Sequence, residues 1–327
     1  MFAAPTITID SRLSGDSPST IADDVRAGLG RGRPYTLAPK YFYDERGSDL
    51  FDQITELPEY YPTRAERAIL NRHAPAIVSL TAARELVELG SGSASKTRAL
   101  LYAMAGAGQL ERYVPVDVSR VPVERCAEEL TDLYPGLEVH GLIGDFERDL
   151  VHVPAGERRL VAFLGGTIGN FEPTARGRFL RTLRALLGPS DWLVLGTDLV
   201  KDPHVLERAY DDAAGVTAEF NLNVLRVLNR SLDADFDVAA WQHVARWNAA
   251  ESWIEMRLRA RRAQRVSLPG ADLAVDFDAG DEIRTEISAK FTPERIAREL
   301  ADADMRLVEL LTDPDGLFAV SLAAPGQ

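Results

Sequence analysis

Glycine and acidic residues follow three successive apolar segments of the chain, where they could bind a nucleoside. The segment Glu85–Leu89 leads into Gly90–Gly92, whose glycines let a ligand approach the backbone closely. Asp117 ends the second segment, and Asp145 and Phe146 follow the third. A carboxylate in the second position can accept hydrogen bonds from ribose hydroxyls. One beside an aromatic ring can accept from an adenine amino group while the ring packs on the base.

The glycine loop departs from the dinucleotide-binding fingerprint. That fingerprint needs Gly or Ala three residues after the second glycine, and Ser95 stands there. The departure disfavours NAD and favours an adenosine cofactor without a pyrophosphate. S-adenosylmethionine fits, since the acidic rim suits its sulfonium. A Gly-x-Gly pair alone is also compatible with a tight structural turn, and Asp117 alone with an exposed acid at a strand end.

The surrounding pattern alternates apolar strands with amphipathic helices. Strands are predicted over 85–89, 113–116, 137–143, 160–164 and 192–196, with helices between them. This pattern predicts an α/β fold with a doubly wound, Rossmann-like parallel sheet. After residue 293 a helix and two strands predict a terminal antiparallel hairpin. A helix over 64–80 is expected to start at a capping box formed by Thr63 and Glu66.

The region between these parts has a different pattern. A long helix is predicted over 205–229, followed by antiparallel strands over 244–247, 253–266 and 273–277. We therefore predict two domains. Residues 63–198 and the C-terminal 291–327 form the sheet domain, whereas 199–290, joined by the N-terminal segment 1–62, form a smaller α+β lid domain for substrate.

Composition and charge limit the function classes. The 327 residues include 37 Lys and Arg against 50 Asp and Glu, so the net charge of −13 disfavours nucleic acid as a partner. A single cysteine, Cys126, fits a reducing compartment, and we expect a cytoplasmic protein. No apolar stretch reaches the length of a membrane span, and the five histidines have no metal-ligand spacing, so neither membrane nor metal binding is expected. Without a heptad seam, a monomer is predicted.

Several long stretches carry a resemblance to a known family. They resemble the histidine Nα-methyltransferases of ergothioneine biosynthesis and cover most of the chain from Pro39. The stretches are PKYFYDERGSDLFDQITELPEYYPTRAE, LVELGSGSASKTR, GDFE, FLGGTIGNFEP, LGTDLVKD, AYDDAAGVTAEFNLNVL and TEISAKF. The resemblance implies a class I methyltransferase fold with a lid domain. It also implies three methyl transfers from S-adenosylmethionine to the α-amine of L-histidine, which yield hercynine and S-adenosylhomocysteine.

The resemblance also implies site residues. For the cofactor they are Gly90, Lys96, Asp117, Asp145 and Phe146. For histidine they are Tyr60, Asn170, Tyr210, Glu286 and Ser288, with Phe51, Gly165, Thr167 and Met256 as further candidates. No catalytic acid or base is assigned, and Tyr60 and Tyr43 are candidates for positioning the amine. Gly166 and Ala289 stand where the family has Ser and Cys, and neither removes a side chain that binding requires.

The pair Glu286 and Ser288 suits an imidazole. The ring has two nitrogens, so recognition needs an acceptor and an adaptable partner, and residues two apart on a strand face the same side. The alternative function is methylation of a related aromatic amino acid such as tryptophan. An apolar residue at position 286 would have favoured the indole ring of that substrate. On pattern alone the pair could also be a solvated strand face, and Tyr210 a packing aromatic. A non-catalytic adenosine sensor stays open, whereas Ser95 and the terminal hairpin disfavour an NAD oxidoreductase.

Overall fold

A computed structural model describes residues 6–12, 18–92, 94 and 96–326. Ser95, on which the exclusion of a dinucleotide fingerprint depends, lies outside these residues. The chain divides into two compact units. The first unit comprises residues 1–13, 64–199 and 291–327, and the second comprises 14–63 and 200–290.

The strands and helices follow the predicted alternation over most of the chain. In chain order the strands are β1 Thr6–Ser11, β2 Tyr35–Thr36, β3 Glu85–Leu89, β4 Arg112–Asp117, β5 Glu138–Ile143, β6 Arg159–Phe163, β7 Trp192–Asp198, β8 Trp241–Asn248, β9 Trp253–Ala260, β10 Gln264–Leu268, β11 Leu273–Phe277, β12 Glu282–Ala289, β13 Met305–Thr312 and β14 Phe318–Pro325. The α-helices are α1 Pro18–Leu29, α2 Glu45–Glu56, α3 Tyr61–Thr81, α4 Arg98–Gly106, α5 Arg120–Leu133, α6 Pro173–Leu186, α7 Pro203–Tyr210, α8 Val216–Leu232 and α9 Pro293–Ala301. In the described part of the chain, none of the helices combines the length and apolar character that a membrane span requires.

An eight-stranded sheet forms the centre of the first unit. Its order is β1-β5-β4-β3-β6-β7-β14-β13. The pairings are parallel from β1 to β7 and antiparallel at β14 and β13, which confirms the doubly wound sheet with a terminal hairpin. The chain leaves β3 toward β4 on one side and returns to β6 on the other. The carboxyl end of β3 is therefore the switch point at which open α/β sheets bind ligands.

Apolar residues of the strands and helices form the core of this unit. Every residue of β6 is buried, as expected of a parallel strand that is covered on both faces. Leu86 of β3 packs in one cluster with Leu70 of α3, Leu101 of α4 and Leu130 of α5. These contacts fix the strand ends from which the candidate site residues extend.

The first residues differ from the prediction, which places 1–62 in the second domain. Thr6–Ser11 instead forms the edge strand β1, which pairs in parallel with β5 in the first unit. Ile9 lies opposite Gly141, where an added Cβ would come within 2.7 Å of the Ile9 Cδ1 atom. The glycine therefore leaves room for an apolar side chain at the sheet edge. The alternation Thr-Ile-Thr-Ile was the available signal for this strand.

A four-stranded sheet with the order β2-β12-β9-β8 forms part of the second unit, beside the hairpin β10-β11. The long helix predicted over 205–229 is two helices, because the chain breaks after Tyr210. The Asp212 carboxylate accepts hydrogen bonds from the backbone N–H groups of Val216 and Thr217 and so caps α8. Gly215 has a φ of 77°, a conformation that favours glycine.

The capping box predicted at Thr63 is wrong. Helix α3 begins at Tyr61, so Thr63 lies inside it, and Pro62 occupies an early position where proline is tolerated. The Glu66 carboxylate does not cap the helix but accepts hydrogen bonds from the backbone N–H of Gly165. A tertiary contact has taken the side chain that local sequence assigned to the helix end.

A buried ion pair supports the first unit and gives a stability prediction. Asp191 accepts hydrogen bonds from the Arg159 backbone N–H at 2.7 Å and from its guanidinium Nε at 2.9 Å. Removing the carboxylate with Asp191→Ala leaves a buried guanidinium uncompensated, so we expect the free energy of unfolding to fall by about 3 kcal/mol. Urea unfolding measures this change. The control Arg125→Ala breaks an exposed pair with Glu129 and should cost less than about 1 kcal/mol; equal losses would contradict the prediction.

Candidate active site

The loop after β3 is held open by glycine conformations and by backbone hydrogen bonds. Gly90 has a φ of 71° and Gly92 a φ of 48°, both in the left-handed region. The Gly90 N–H donates to the Val116 carbonyl at 2.8 Å, and the Gly92 N–H donates to the Asp117 carboxylate at 2.9 Å. Hydrogen bonds thus connect the glycine loop to the end of β4.

Backbone hydrogen bonds hold the carboxylate of Asp117 at the end of β4. One carboxylate oxygen accepts from Gly92, and the other accepts from the Ser119 N–H at 2.9 Å. Burial raises the pKa of Asp117 above its ordinary value, and these backbone hydrogen bonds act in the opposite direction. Since each carboxylate oxygen has two lone pairs, both can accept further hydrogen bonds from ribose hydroxyls.

Phe146 provides an apolar wall beside the glycine loop. Its ring packs against Phe163, with 5.4 Å between centroids, and against Phe179 at 5.8 Å. A Cβ added to Gly90 would lie 3.8 Å from Phe146 Cε1, so the loop and the ring face each other closely. The neighbouring Asp145 carboxylate accepts from the Glu147 N–H at 2.8 Å, which fixes its orientation.

Glu66 is a residue of this region that the sequence did not identify. It is fully buried, its carboxylate accepts from the Gly165 N–H at 2.8 and 3.0 Å, and the Lys96 Nζ lies 3.8 Å from it. Burial raises the pKa of Glu66, and the charge of Lys96 lowers it. A Cβ at Gly165 would lie 2.5 Å from the Lys96 Nζ, and one at Gly196 would lie 2.1 Å from Glu66. Glycine at both positions therefore makes this contact sterically feasible.

Glu88 is a second buried carboxylate that the sequence did not identify. It accepts hydrogen bonds from the hydroxyls of Thr97 and Tyr113, both at 2.6 Å. Burial raises the pKa of Glu88 to about 7, although these hydrogen bonds act to lower it. The available signal was an acid inside the apolar segment Glu85–Leu89. Because an unpaired charge is not tolerated in a buried strand, such an acid indicates buried hydrogen-bond partners. Through Thr97, Glu88 connects β3 to the start of α4.

The candidates after β6 lie in a short 3-10 helix, Thr167–Asn170. The Thr167 hydroxyl donates to the Leu164 carbonyl at 3.1 Å, so it stabilises the turn itself. Gly166 before it has a φ of 68°, and Gly165 a φ of 80°. Asn170 ends the helix and is partly exposed. Gly165, Thr167 and Asn170 belong to the first unit, like all the predicted cofactor residues.

An aromatic row in the second unit brings four of the predicted residues together. The ring centroids of Tyr43 and Phe51 are 5.7 Å apart, those of Phe51 and Tyr60 are 6.3 Å apart, and those of Tyr60 and Tyr210 are 6.2 Å apart. The interplanar angles of 71° to 77° correspond to edge-on packing, which is a preferred arrangement of aromatic pairs. Rings from α2, from the residues just before α2 and α3, and from the end of α7 thus meet.

A polar triangle adjoins the end of this row. The hydroxyl of Tyr210 donates to the Ser288 Oγ at 2.7 Å. The Lys290 ammonium donates to both oxygens, at 2.9 Å to Tyr210 and at 2.8 Å to Ser288. Lys290 is fully buried and was not identified from the sequence, although it stands in the matched stretch TEISAKF. It stands two residues after Ser288, directly beyond the end of β12, and this spacing was the available signal.

Glu286 lies on the same strand face as Ser288. In β12 the two residues pair with Met256 and Ile254 of β9 in regular antiparallel register, after an irregularity between Arg284 and Glu286. Burial raises the pKa of Glu286 to about 8, and the charge of Lys290 acts to lower it. The predicted pair therefore shares a face, and the partly buried carboxylate lies opposite the apolar Met256.

His243 holds the backbone that carries Tyr210. Its Nδ1 accepts from the Asn221 amide at 2.8 Å, so its Nε2 carries the proton and donates to the Tyr210 carbonyl at 2.8 Å. Burial lowers the pKa of His243, which favours this neutral form. Asn221 also accepts from Thr285 in β12 at 2.7 Å, so helix α8 ties α7 to the strand of Glu286 and Ser288.

No group of three or more His, Cys, Asp and Glu side chains that could hold a metal ion occurs among residues 6–12, 18–92, 94 and 96–326.

Known proteins are similar to this sequence over nearly its full length. Residues 21–325 match the family described as "Histidine-specific methyltransferase, SAM-dependent". The chain belongs to this family. It is 53% identical over 319 residues to a histidine N-alpha-methyltransferase of Mycolicibacterium smegmatis, which covers 97% of this chain and 99% of that protein. It is also 53% identical over 301 residues to a histidine N-alpha-methyltransferase of Mycobacterium tuberculosis, covering 92% of this chain and 94% of that one.

A more distant relative is a longer protein. Ergothioneine biosynthesis protein 1 of Neurospora crassa is 32% identical over 284 residues, which cover 84% of this chain and 32% of that protein. The family resemblance inferred from the motifs is therefore confirmed, as is the methyltransferase class of the enzyme. The family's use of S-adenosylmethionine fits the carboxylate of Asp117 and the glycine loop facing Phe146.

The nucleoside role of Asp117 gives a testable prediction. In Asp117→Ala, the hydrogen bonds of a charged acceptor are lost, so S-adenosylhomocysteine should bind about 10- to 100-fold more weakly by titration calorimetry. The control Asp132→Ala removes an exposed acid of α5 and should leave the affinity unchanged. An Asp117 variant that retains wild-type affinity would contradict the assignment.

Proposed function

We propose that the protein transfers methyl groups from S-adenosylmethionine to the α-amine of L-histidine in three rounds, forming the trimethylated betaine. The observation that carries the proposal is the pair Glu286 and Ser288 on one strand face, next to Tyr210. The relatives named as histidine N-alpha-methyltransferases support histidine as the substrate. The relative named as an ergothioneine biosynthesis protein supports a place for this reaction in ergothioneine biosynthesis.

Glu286 and Ser288 are assigned to the imidazole ring. The ring presents one N–H donor and one bare nitrogen in its neutral form, so it needs one acceptor and one donor. An ionised Glu286 supplies the acceptor and the Ser288 hydroxyl supplies the donor. Met256, which pairs with Glu286 across the strands and is buried, offers an apolar and adaptable contact for the ring.

The aromatic row suits an amine that is methylated repeatedly. Each methyl group removes a hydrogen-bond donor and adds apolar surface, until a quaternary ammonium without donors remains. Rings such as Phe51 and Tyr60 tolerate all of these states, because a cation is attracted to a ring face without hydrogen bonds. A carboxylate bonded tightly to the amine would instead hinder the later rounds.

The remaining assignments follow from the chemistry of methyl transfer. S-adenosylmethionine supplies a methyl group already activated by a sulfonium, so the chain needs chiefly to orient the amine. The amine must be neutral to attack, and the phenols of Tyr60 and Tyr43 are assigned to position it. Asn170, with Gly165 and Thr167, is assigned to the amino acid backbone, since an amide can both donate and accept. We also propose that the second unit is the substrate domain.

The alternative substrate is tryptophan, and the pair Glu286 and Ser288 argues against it. An indole has a single N–H and no acceptor, so it could satisfy Glu286 but would leave the Ser288 donor without a partner. Sites that hydrogen-bond their substrate reject analogues that lack the bonding group. Calorimetry with histidine and tryptophan decides between them, and preferential binding of tryptophan would favour the alternative.

The principal test replaces the carboxylate of Glu286. We expect the wild type to convert histidine into species with one, two and three added methyl groups, detected by mass spectrometry. In Glu286→Gln, the charged acceptor is lost, and kcat/KM for histidine should fall about 10- to 100-fold, with unchanged affinity for S-adenosylhomocysteine. Glu251→Gln, an exposed residue of the same unit, is the control. A wild type inactive on histidine would refute the proposal.

A further inference from the structure

The ammonium of Lys290 has an unusual position for a lysine. It is completely buried, it donates to the hydroxyls of Tyr210 and Ser288, and it lies 4.6 Å from the centroid of the Tyr210 ring. Since the two hydroxyls are also bonded to each other, the three groups form a closed triangle. Burying an ammonium is costly, so its hydrogen bonds to these two hydroxyls help to hold it in this position.

The hydrogen-bonding capacity of these groups restricts what the triangle can offer a ligand. An ammonium has three donors and no acceptor, whereas a hydroxyl has one donor and two acceptor lone pairs. The Ser288 Oγ accepts from Lys290 at 2.8 Å and from Tyr210 at 2.7 Å. Both of its lone pairs are therefore used, and its O–H can act toward a ligand only as a donor.

We propose that Lys290 is a positioning residue that makes Ser288 a donor only, so that the site accepts the imidazole of histidine with Glu286 ionised and with the ring neutral. The inference rests on the proposed function. The chain of donors runs from the Lys290 ammonium through the Tyr210 hydroxyl to Ser288 and then to the bare ring nitrogen. Each donor in such a chain is strengthened by the one before it.

The proposal excludes the opposite proton arrangement. If Glu286 were protonated and donated to one ring nitrogen, the other nitrogen would carry a proton directed at Ser288. Ser288 could not accept it, because Lys290 and Tyr210 already use both lone pairs. Histidine binding should therefore remove the proton of Glu286. This carboxyl has a raised pKa of about 8 and is largely protonated at pH 7.

The surroundings of Glu286 support this proton balance. Lys290, which directly follows its strand, carries a charge that acts to lower the pKa of Glu286. From β9, the opposite residues are the apolar Met256 and Ile254. Tyr210 of α7 contributes its hydroxyl to the triangle. His243 of β8 donates to the backbone carbonyl of Tyr210.

The experiment measures proton release on binding. The probe is Nα,Nα,Nα-trimethylhistidine, which has an imidazole but no titratable amine, added at pH 7 to protein saturated with S-adenosylhomocysteine. Calorimetry in buffers of different ionisation enthalpy gives the number of protons released. For the wild type we expect about one proton per site, with affinity rising from pH 6.5 through pH 8 and levelling off above about pH 9.

The variant Lys290→Met keeps the length of the side chain and removes its donors. Ser288 then regains a lone pair and can accept from a ring N–H, so the site no longer requires Glu286 to ionise. We expect proton release to fall below half a proton and affinity to fall about tenfold. Lys290→Arg keeps a donor-only cation and should retain a release close to that of the wild type.

Each outcome bears on the proposal. A Lys290→Met protein that binds more weakly but still releases about one proton would show a structural role only and would overturn it. If this variant does not fold, the wild type still decides, because binding without proton release at pH 7 would also overturn it. Failure of the wild type to methylate histidine or bind the probe would instead refute the proposed function, which keeps the two failures distinct.

Discussion

Parallel strands end at a common edge of their sheet, and the first unit depends on this constraint. Gly90, Asp117 and Asp145 are far apart in sequence, yet each lies at or just beyond the carboxyl end of one of three neighbouring strands, β3, β4 and β5. The strands are held in place by apolar residues that are covered on both faces. Because that packing is rigid, the loops after the strands can be specialised for binding without contributing to the core.

Buried ionisable groups connect the core to these loops. Glu66 fixes the Gly165 backbone, and Glu88 joins β3 to the residue before α4. In the second unit, Lys290 serves Tyr210 and Ser288 in a similar way. Such groups are costly to bury alone, and here each makes hydrogen bonds that fix the geometry of the polar groups around it.

The second unit combines two different surfaces. Its aromatic row, from Tyr43 to Tyr210, offers ring faces and few hydrogen bonds, whereas β12 offers a carboxylate and a hydroxyl at a spacing of two residues. In the function proposed above, the first surface serves a group whose polarity changes through three methylations, and the second serves a ring whose nitrogen pattern stays constant. The proposed substrate, a free amino acid with an imidazole, has both features.

The sequence by itself determined the local features of this protein. Apolar segments gave β3 to β7 to within a few residues, because a strand buried on both faces needs a continuous apolar run, and the two-residue period placed Glu286 and Ser288 on one face. Only the tertiary structure decided what distant residues do to one another. Glu66 reads locally as a helix cap and instead holds Gly165, and β1 joins the edge of the first sheet beside Gly141. Lys290 likewise acquires its role from Tyr210, eighty residues away in the chain. The physical reason is that periodicity and propensity report on neighbours along the chain, whereas the partner of a buried charge is chosen by packing.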